Sequence, residues 1–152
     1  MNIVIIWPGK TKNKFIEQIV LDYCKKIEKM IRFQIVQVKE TKCDAARKLR
    51  EEKKLIEEKI PPQSCVVVLD SKGKNCTTDD MLKLVSSRMK SACKNLVFVS
   101  GGHLGLHEDL KAKAHVQVAL SPLDLPHEVC RIILVEQIYR VLCIINKIPY
   151  PK

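Results

Sequence analysis

The period of the hydrophobic pattern switches back and forth along this 152-residue chain, and that alternation constrains the fold more than any other feature. NIVIIW (Asn2 to Trp7), FQIVQV (Phe33 to Val38), CVVVLD (Cys65 to Asp70) and NLVFVS (Asn95 to Ser100) are short apolar runs. The continuous, β-branched ones read as parallel strands covered on both faces, where no polar alternation is needed. Between them the spacing becomes helical. From Lys12 to Met30, apolar residues fall at Phe15, Ile16, Ile19, Val20, Tyr23, Cys24, Ile27 and Met30, one stripe of a lysine-rich helix. Ten of the 13 residues from Arg47 to Lys59 are charged, which predicts a solvated helix with mixed-sign pairs such as Arg47/Glu51. Pro61-Pro62 resets the chain. Thr77 or Thr78 can cap the next helix, with Asp79 and Asp80 in its positive first turn. A short helix from about His107 to Lys113, a last strand near Val116 to Leu120 and a helix from Pro126 to Asn146 complete the pattern. The alternation predicts an α/β fold with a mostly parallel sheet flanked by helices, and the length predicts one domain over residues 1–152.

Charge narrows the partners. Lys and Arg number 27 against 17 Asp and Glu, a formal charge of +10 that favours a polyanion, with RNA or DNA ahead of an acidic membrane. A surface merely decorated with lysine is the plain alternative. The seven cysteines form no C-x-x-C pair and are odd in number, which argues against both a disulfide framework and a metal site. Free thiols in a reducing compartment fit better. The N-terminal apolar run meets Pro8-Gly9 too early for a signal-peptide core. The run from Val129 to Ile145 is shorter than the ~20 residues of a membrane span and is interrupted by Arg131, Glu136, Gln137 and Arg140. A cytoplasmic protein without membrane or metal is expected.

In parallel sheets, ligands bind at the carboxyl ends of the strands. Three segments leave those ends: LDSKGK (Leu69 to Lys74), SGGHLGL (Ser100 to Leu106) and LSPLDLP (Leu120 to Pro126). Glycines let the backbone approach a ligand closely. Neither G-x-G-x-x-G nor G-x-x-x-x-G-K-[ST] is present, so a dinucleotide or nucleoside triphosphate is disfavoured. The pattern alone supports a small-molecule pocket of unspecified ligand.

These segments carry a resemblance that runs nearly the whole chain. Leu69, Asp70, Gly73 and Lys74 meet an LD-x-x-GK motif, and Gly101, Gly102 and Gly105 a GG-x-x-G turn. Leu120, Ser121, Leu123, Leu125, Pro126, His127, Arg131, Leu134, Glu136, Gln137, Tyr139 and Arg140 meet LS-x-L-x-LPH…R…L-x-EQ-x-YR. In this order and spacing they resemble the ribosomal RNA large subunit methyltransferase H family of the SPOUT superfamily. The resemblance implies an α/β fold with a C-terminal deep trefoil knot. It also implies a homodimer that uses S-adenosylmethionine to methylate N3 of a pseudouridine in 23S rRNA of the large ribosomal subunit.

On that basis Leu69, Gly101, Gly102, Ser121, Pro122, Leu123, Asp124, Leu125 and Pro126 are expected to hold the cofactor, the two prolines stiffening a loop of backbone donors and acceptors. Pro126 is expected in the first helical turn, where its missing N–H costs nothing. The helix after it, 13 of whose 17 residues from Val129 are apolar, is expected to pack on the sheet and on a dimer mate. His103, Arg140 and Tyr150 are the candidates for catalysis and RNA contact: an imidazole in the cofactor turn, a cation for phosphate and a ring for base stacking. Asp70 reads as a loop-shaping acceptor of amide hydrogen bonds. The chain departs from the family at His103 and Leu104, at Asp124, and in the tail Pro149-Tyr150-Pro151-Lys152, where a histidine is usual in place of Pro151. The alternative that this tail leaves open is a non-catalytic knotted RNA-binding dimer that retains cofactor binding.

Overall fold

The computed structural model describes residues 1–150. Its elements are β1 (Asn2–Pro8), α1 (Lys14–Glu28), β2 (Phe33–Val38), α2 (Ala45–Glu57) and β3 (Ser64–Asn75), followed by α3 (Thr78–Lys90), β4 (Asn95–Ser100), α4 (Glu108–Lys113), β5 (Val116–Ala119) and α5 (His127–Ile145). The five strands form one parallel sheet in the order β2-β1-β4-β3-β5. Every predicted strand is present, and the reason for their unbroken apolar sequence is visible in the core. Ile3, Ile5, Trp7, Cys65, Val67, Leu96 and Phe98 point to one face, against Val20, Cys24 and Ile27 of α1, Met81 and Val85 of α3, and Leu134 to Leu142 of α5. Val4, Ile6, Val66, Val68, Val97 and Val99 point to the other, against Ile56 of α2 and Leu106 and Leu110 beside and within α4. Alternate side chains serve opposite faces, so neither parity is free to be polar.

Helix ends follow local chemistry. Asn13 Oδ1 accepts from the Phe15 and Ile16 amides at 2.9 and 3.2 Å and starts α1. Thr77 and Asp80 form a reciprocal capping box at α3. Pro126 lies at the N-cap of α5 rather than inside its first turn, and its carbonyl accepts from Val129 and Cys130. The expectation of a first-turn proline is corrected by one position, with the same physical benefit, since no proline N–H is required there either.

Two further expectations change. LDSKGK is not a loop beyond β3. The strand runs on to Asn75, and Leu69 and Lys74 both pair with Val118, so residues 70–73 bulge out of the ladder. α2 is not uniformly solvated. The exposed Arg47–Glu51 pair is present at 2.9 Å, but Lys48 and Glu52 are only 7% and 3% exposed. Lys48 Nζ sits 2.9 Å from Glu40 Oε1 and 3.8 Å from Glu52 Oε1. Burial pushes the Glu52 carboxyl up, against the pull of Lys48 and the Thr41 amide. Charge count along a helix does not say which charges are solvated when a loop, here residues 39–44, folds over one face.

α5 packs on the sheet, as expected. It packs between α1 and α3, and Leu142, 1% exposed, belongs to the core of the single chain. Val129, Ile132, Ile133 and Ile145 are half-buried and Ile144 is exposed, so the helix keeps apolar side chains that the single chain does not cover. No helix among the described residues is long and apolar enough to cross a membrane.

Removing one member of a buried ion pair strands the others in low dielectric, typically at about 3–5 kcal/mol. Lys48→Met is expected to lower stability by about 3 kcal/mol in urea unfolding. Adding Glu52→Leu to it should restore most of the loss, because the stranded carboxylate is then gone.

Candidate functional site

The carboxyl ends of β3, β4 and β5 open onto a cleft of about 970 Å³. Three of its walls are formed by the segments that leave those strands, and each has a steric reason for its sequence. At the end of β4, the Gly105 amide donates to the Gly102 carbonyl at 3.0 Å and closes a turn with His103 and Leu104 exposed at its tip. Gly105 has φ +75°, a conformation that side chains resist. A Cβ on Gly101 would collide with the Gly105 carbonyl, so Gly101 is demanded by the turn itself. Gly102 is different. A Cβ there would meet only the Pro8 ring, at 3.5 Å, and would otherwise stand in open space beside the cleft.

The bulge of β3 forms the second wall. A Cβ on Gly73 would lie 2.8 Å from the Val118 backbone, so glycine lets the bulge lie flat on β5. Asp70 Oδ1 accepts from the Lys72 amide at 3.2 Å, the loop-shaping role read from sequence, and Oδ2 pairs with Lys111 of α4 at 3.0 Å. Burial pushes the Asp70 carboxyl up, but Lys111 and the Lys72 amide outweigh it and hold it below the usual carboxylate range. Lys111 also reaches Glu108 at 2.6 Å. The third wall is the segment after β5, where Ser121 Oγ accepts from the Leu123 amide at 2.9 Å and Leu123 stands 71% exposed at the rim.

Of the nine residues expected to hold a cofactor, eight line this cleft: Leu69, Gly101, Gly102, Ser121, Leu123, Asp124, Leu125 and Pro126. Pro122 is exposed and is not part of the lining. His103 does line it, and also borders a smaller recess of about 380 Å³ with Glu40, Cys43 and Lys48. Arg140 and Tyr150 do not. Arg140 pairs with Glu136 at 2.6 Å and stacks on the Tyr150 ring at 4.7 Å. The Tyr150 hydroxyl lies 3.0 Å from that of Tyr23, and its ring meets Tyr139 edge-on at 5.0 Å. The structure thus folds the ring expected to stack on a base against its own helices, and burial together with Tyr23 raises its pKa. Pro151 and Lys152 lie outside the described residues.

Sequence reasoning missed the buried cluster next to the part of the cleft wall that α5 supplies with His127 and Cys130. Arg131 of α5 is 1% exposed, stacks 4.6 Å from the Trp7 ring, and donates to Thr11 Oγ1 and the Pro8 carbonyl, both at 2.8 Å. Glu128 accepts from the Lys12 and Asn13 amides. His127 lines the cleft, and burial followed by the Arg131 charge lowers its pKa, so its imidazole is neutral at pH 7. Two of the other three histidines serve the backbone, His107 accepting from the Asp109 amide and His115 from the Val66 amide. Only His103 and His127 remain on the cleft wall without such a duty. The Asp70–Lys111 pair spans 41 positions, and no local sequence signal marks it.

The backbone walls and apolar rim suit a flat heterocycle held by amides and carbonyls. No group of three or more His, Cys, Asp or Glu arranged to hold a metal ion occurs among the described residues.

Known proteins resemble this chain along its length. Residues 1–151 match the family model described as "Predicted SPOUT methyltransferase". The ribosomal RNA large subunit methyltransferase H of Clostridium botulinum is 33% identical over 160 aligned positions, covering all of both chains. That of Streptococcus uberis is 30% identical over 159, also covering both completely. Among solved structures, a probable methyltransferase from Bordetella pertussis superposes with a TM-score of 0.62 at 14% identity, covering 93% of this chain and 94% of that one, a likeness of fold.

The two adjacent glycines should separate experimentally. Gly101→Ala is expected to lower stability by about 2–3 kcal/mol, as overpacking does, whereas Gly102→Ala should stay within about 0.5 kcal/mol of wild type. Urea unfolding of the two variants measures both.

Proposed function

The chain belongs to the SPOUT methyltransferase family, and from that premise we propose that it uses S-adenosylmethionine to methylate N3 of a pseudouridine in 23S rRNA of the large ribosomal subunit. The observation that carries this reading is the cleft where eight of the nine expected residues converge from three separated segments. The naming of full-length relatives as ribosomal RNA large subunit methyltransferases supports the substrate class. In this reading residues 1–152 act as one cytoplasmic methyltransferase domain, and the segment from Ser121 through α5 forms the trefoil knot.

The fit of the cleft to the cofactor rests on Gly102, whose missing side chain leaves space on the cleft side, and on the exposed backbone of residues 121–126. Leu69, Gly101, Gly102, Ser121 and Leu123 to Pro126 would hold it. The cofactor supplies an electrophilic methyl group on a sulfonium. The chain's own work is alignment and proton handling. Holding the nucleophile in line contributes roughly 7–11 kcal/mol at best. The proton on N3 must leave, and His103 and His127 are the imidazoles on the cleft wall that can accept it. Arg140 and the tail ring Tyr150 act on the RNA side once Tyr150 leaves Tyr23 and Tyr139. Closure of the tail over the target base then couples RNA binding to the chemistry.

The dimer in this reading uses the face where α1 lies beside α5. Phe15, 80% exposed on α1, and the half-buried Ile133 of α5 are the side chains it would cover. Phe15→Glu or Ile133→Glu should convert a dimer to a folded monomer in sedimentation at micromolar concentration, whereas Leu142→Glu should unfold the chain. A wild type that sediments as a monomer would remove the dimer from the reading.

Methyl incorporation into unmodified large subunits tests the function. Wild type should transfer the group. Gly102→Val should lose cofactor binding in calorimetry, because the branched side chain enters the ligand's space. Deleting residues 149–152 should impair turnover far more than cofactor affinity. Cofactor binding without transfer, gained only in Pro151→His, would instead mark a binding protein.

A further inference from the structure

We infer that the amino end of the sheet, opposite the cleft, is a second docking surface for the phosphate backbone of RNA, carried by Lys29, Arg32, Lys59, Lys90 and Lys94. The inference rests on the reading of this chain as an rRNA enzyme and adds a contact that the cleft does not supply.

The fold brings these residues together from three crossovers. Residues 29–32 precede β2, residues 59–63 precede β3 and residues 90–94 precede β4, so all three segments reach the same end of a parallel sheet. Hydrogen bonds fasten them side by side. The Asn2 amide donates to the Lys94 carbonyl at 2.8 Å and the Ile3 amide to the Arg32 carbonyl at 2.9 Å. Asn2 Nδ2 donates to Asn95 Oδ1, and Asn95 Nδ2 to the Pro62 carbonyl, both at 3.0 Å. The three loops therefore meet around Asn2 and Asn95.

Their charge is uncompensated. The three segments hold five basic residues and no acidic one, and all five basic residues are exposed. Among the described residues none of the five takes part in an ion pair, while the flanking acids Glu28 and Glu58 sit in or just past the last turns of α1 and α2. Other exposed lysines, such as Lys39 and Lys72 at the carboxyl end, share their surroundings with acids, Glu40 beside the first and Asp70 beside the second, whereas these three segments contain no carboxylate. Between the cations stand Pro61, Pro62, Ser91 and Ala92, and the apolar Met30 and Ile31 pack into the core. These segments offer no aromatic ring for base stacking, so this surface holds phosphate and does not read sequence. A seven-residue strand at about 3.3 Å per residue puts it roughly 20 Å from the cleft, too far for the target nucleotide itself. It takes a separate stretch of RNA backbone and orients the enzyme on the particle.

The test uses the full chain with Arg32→Gln, Lys90→Gln and Lys94→Gln combined, beside a charge-matched variant with Lys10→Gln, Lys39→Gln and Lys83→Gln, all exposed, the first two just past the carboxyl ends of β1 and β2 and the third midway along α3. Binding to large ribosomal subunits is measured across a series of salt concentrations. The first variant should weaken binding and lower the log–log salt slope by about one for each phosphate no longer neutralised, about two to three in all. Its cofactor affinity and its turnover at saturating subunits should match wild type, with KM raised. The charge-matched variant should keep the wild-type slope. An unchanged slope in the first variant, equal effects in both, or no binding of wild type to subunits would overturn the inference. Weakening seen only with anionic lipid vesicles, and not with subunits, would assign the surface to a membrane and overturn it too. A wild type that binds with the expected slope difference yet transfers no methyl group would count against the enzyme reading alone.

Discussion

The buried guanidinium of Arg131 joins the last helix to the corner where β1 ends. Arg131 is enclosed by α5, Trp7 and the Pro8–Thr11 segment, and it is bonded to backbone and hydroxyl oxygens rather than paired with a carboxylate. Burial lowers its pKa, partly offset by Glu128 and Glu40. A guanidinium tolerates such a place because it is weakly hydrated and offers a rigid fork of donors to carbonyl oxygens, with its face on an indole. What depends on it is the corner where β1 ends. Pro8 lies beneath Gly102, and Glu128, one turn before Arg131, fixes the amides that lead into Asn13 and α1. The glycine turn, the start of α1 and the first turns of α5 are thus referred to one point.

Much of this architecture is legible in the chain because strands buried on both faces leave continuous apolar runs, and caps such as Thr77 leave local signatures. What stays hidden is what depends on distant partners. Nothing near Asp70 announces Lys111, and nothing in the charged run of α2 distinguishes the buried Lys48 and Glu52 from the solvated Arg47 and Glu51. The bulge at residues 70–73 is hidden because its glycine serves a neighbour, β5, that comes more than forty residues later. The cleft walls are legible for the opposite reason. Turns whose backbones touch, as at Gly101 and Gly73, need glycine there and proline where the chain must stay still, and both residues are conspicuous. The placement of Tyr150 escapes a reading of the sequence because a tail has no periodicity to show which way a ring will turn, and here it turns inward to Tyr23 and Tyr139.

The two ends of the sheet gather different residues. At the carboxyl end Asp70, Lys111 and Glu108 are paired beside the cleft, among exposed lysines such as Lys39 and Lys72. The turns that enter β2, β3 and β4 at the amino end hold exposed cations and no carboxylate. Parallel topology makes this division natural, since every crossover returns to the same end and its short turns are free of the steric demands that govern the other.

The reach of Arg131 has a consequence for how the protein comes into being. Its contacts to Pro8 and Thr11 join residues separated by 123 and 120 positions, and those of Glu128 to Lys12 and Asn13 span 116 and 115. Contacts so distant in sequence slow folding, because a long loop must close before they reward it. During synthesis, which proceeds from the N-terminus, β1 and α1 emerge long before the helix that completes their packing. The nascent chain therefore waits with the Pro8 corner unfastened and the apolar flank of α1 uncovered, and the cleft gains the wall that His127 and Cys130 supply when α5 has left the exit tunnel.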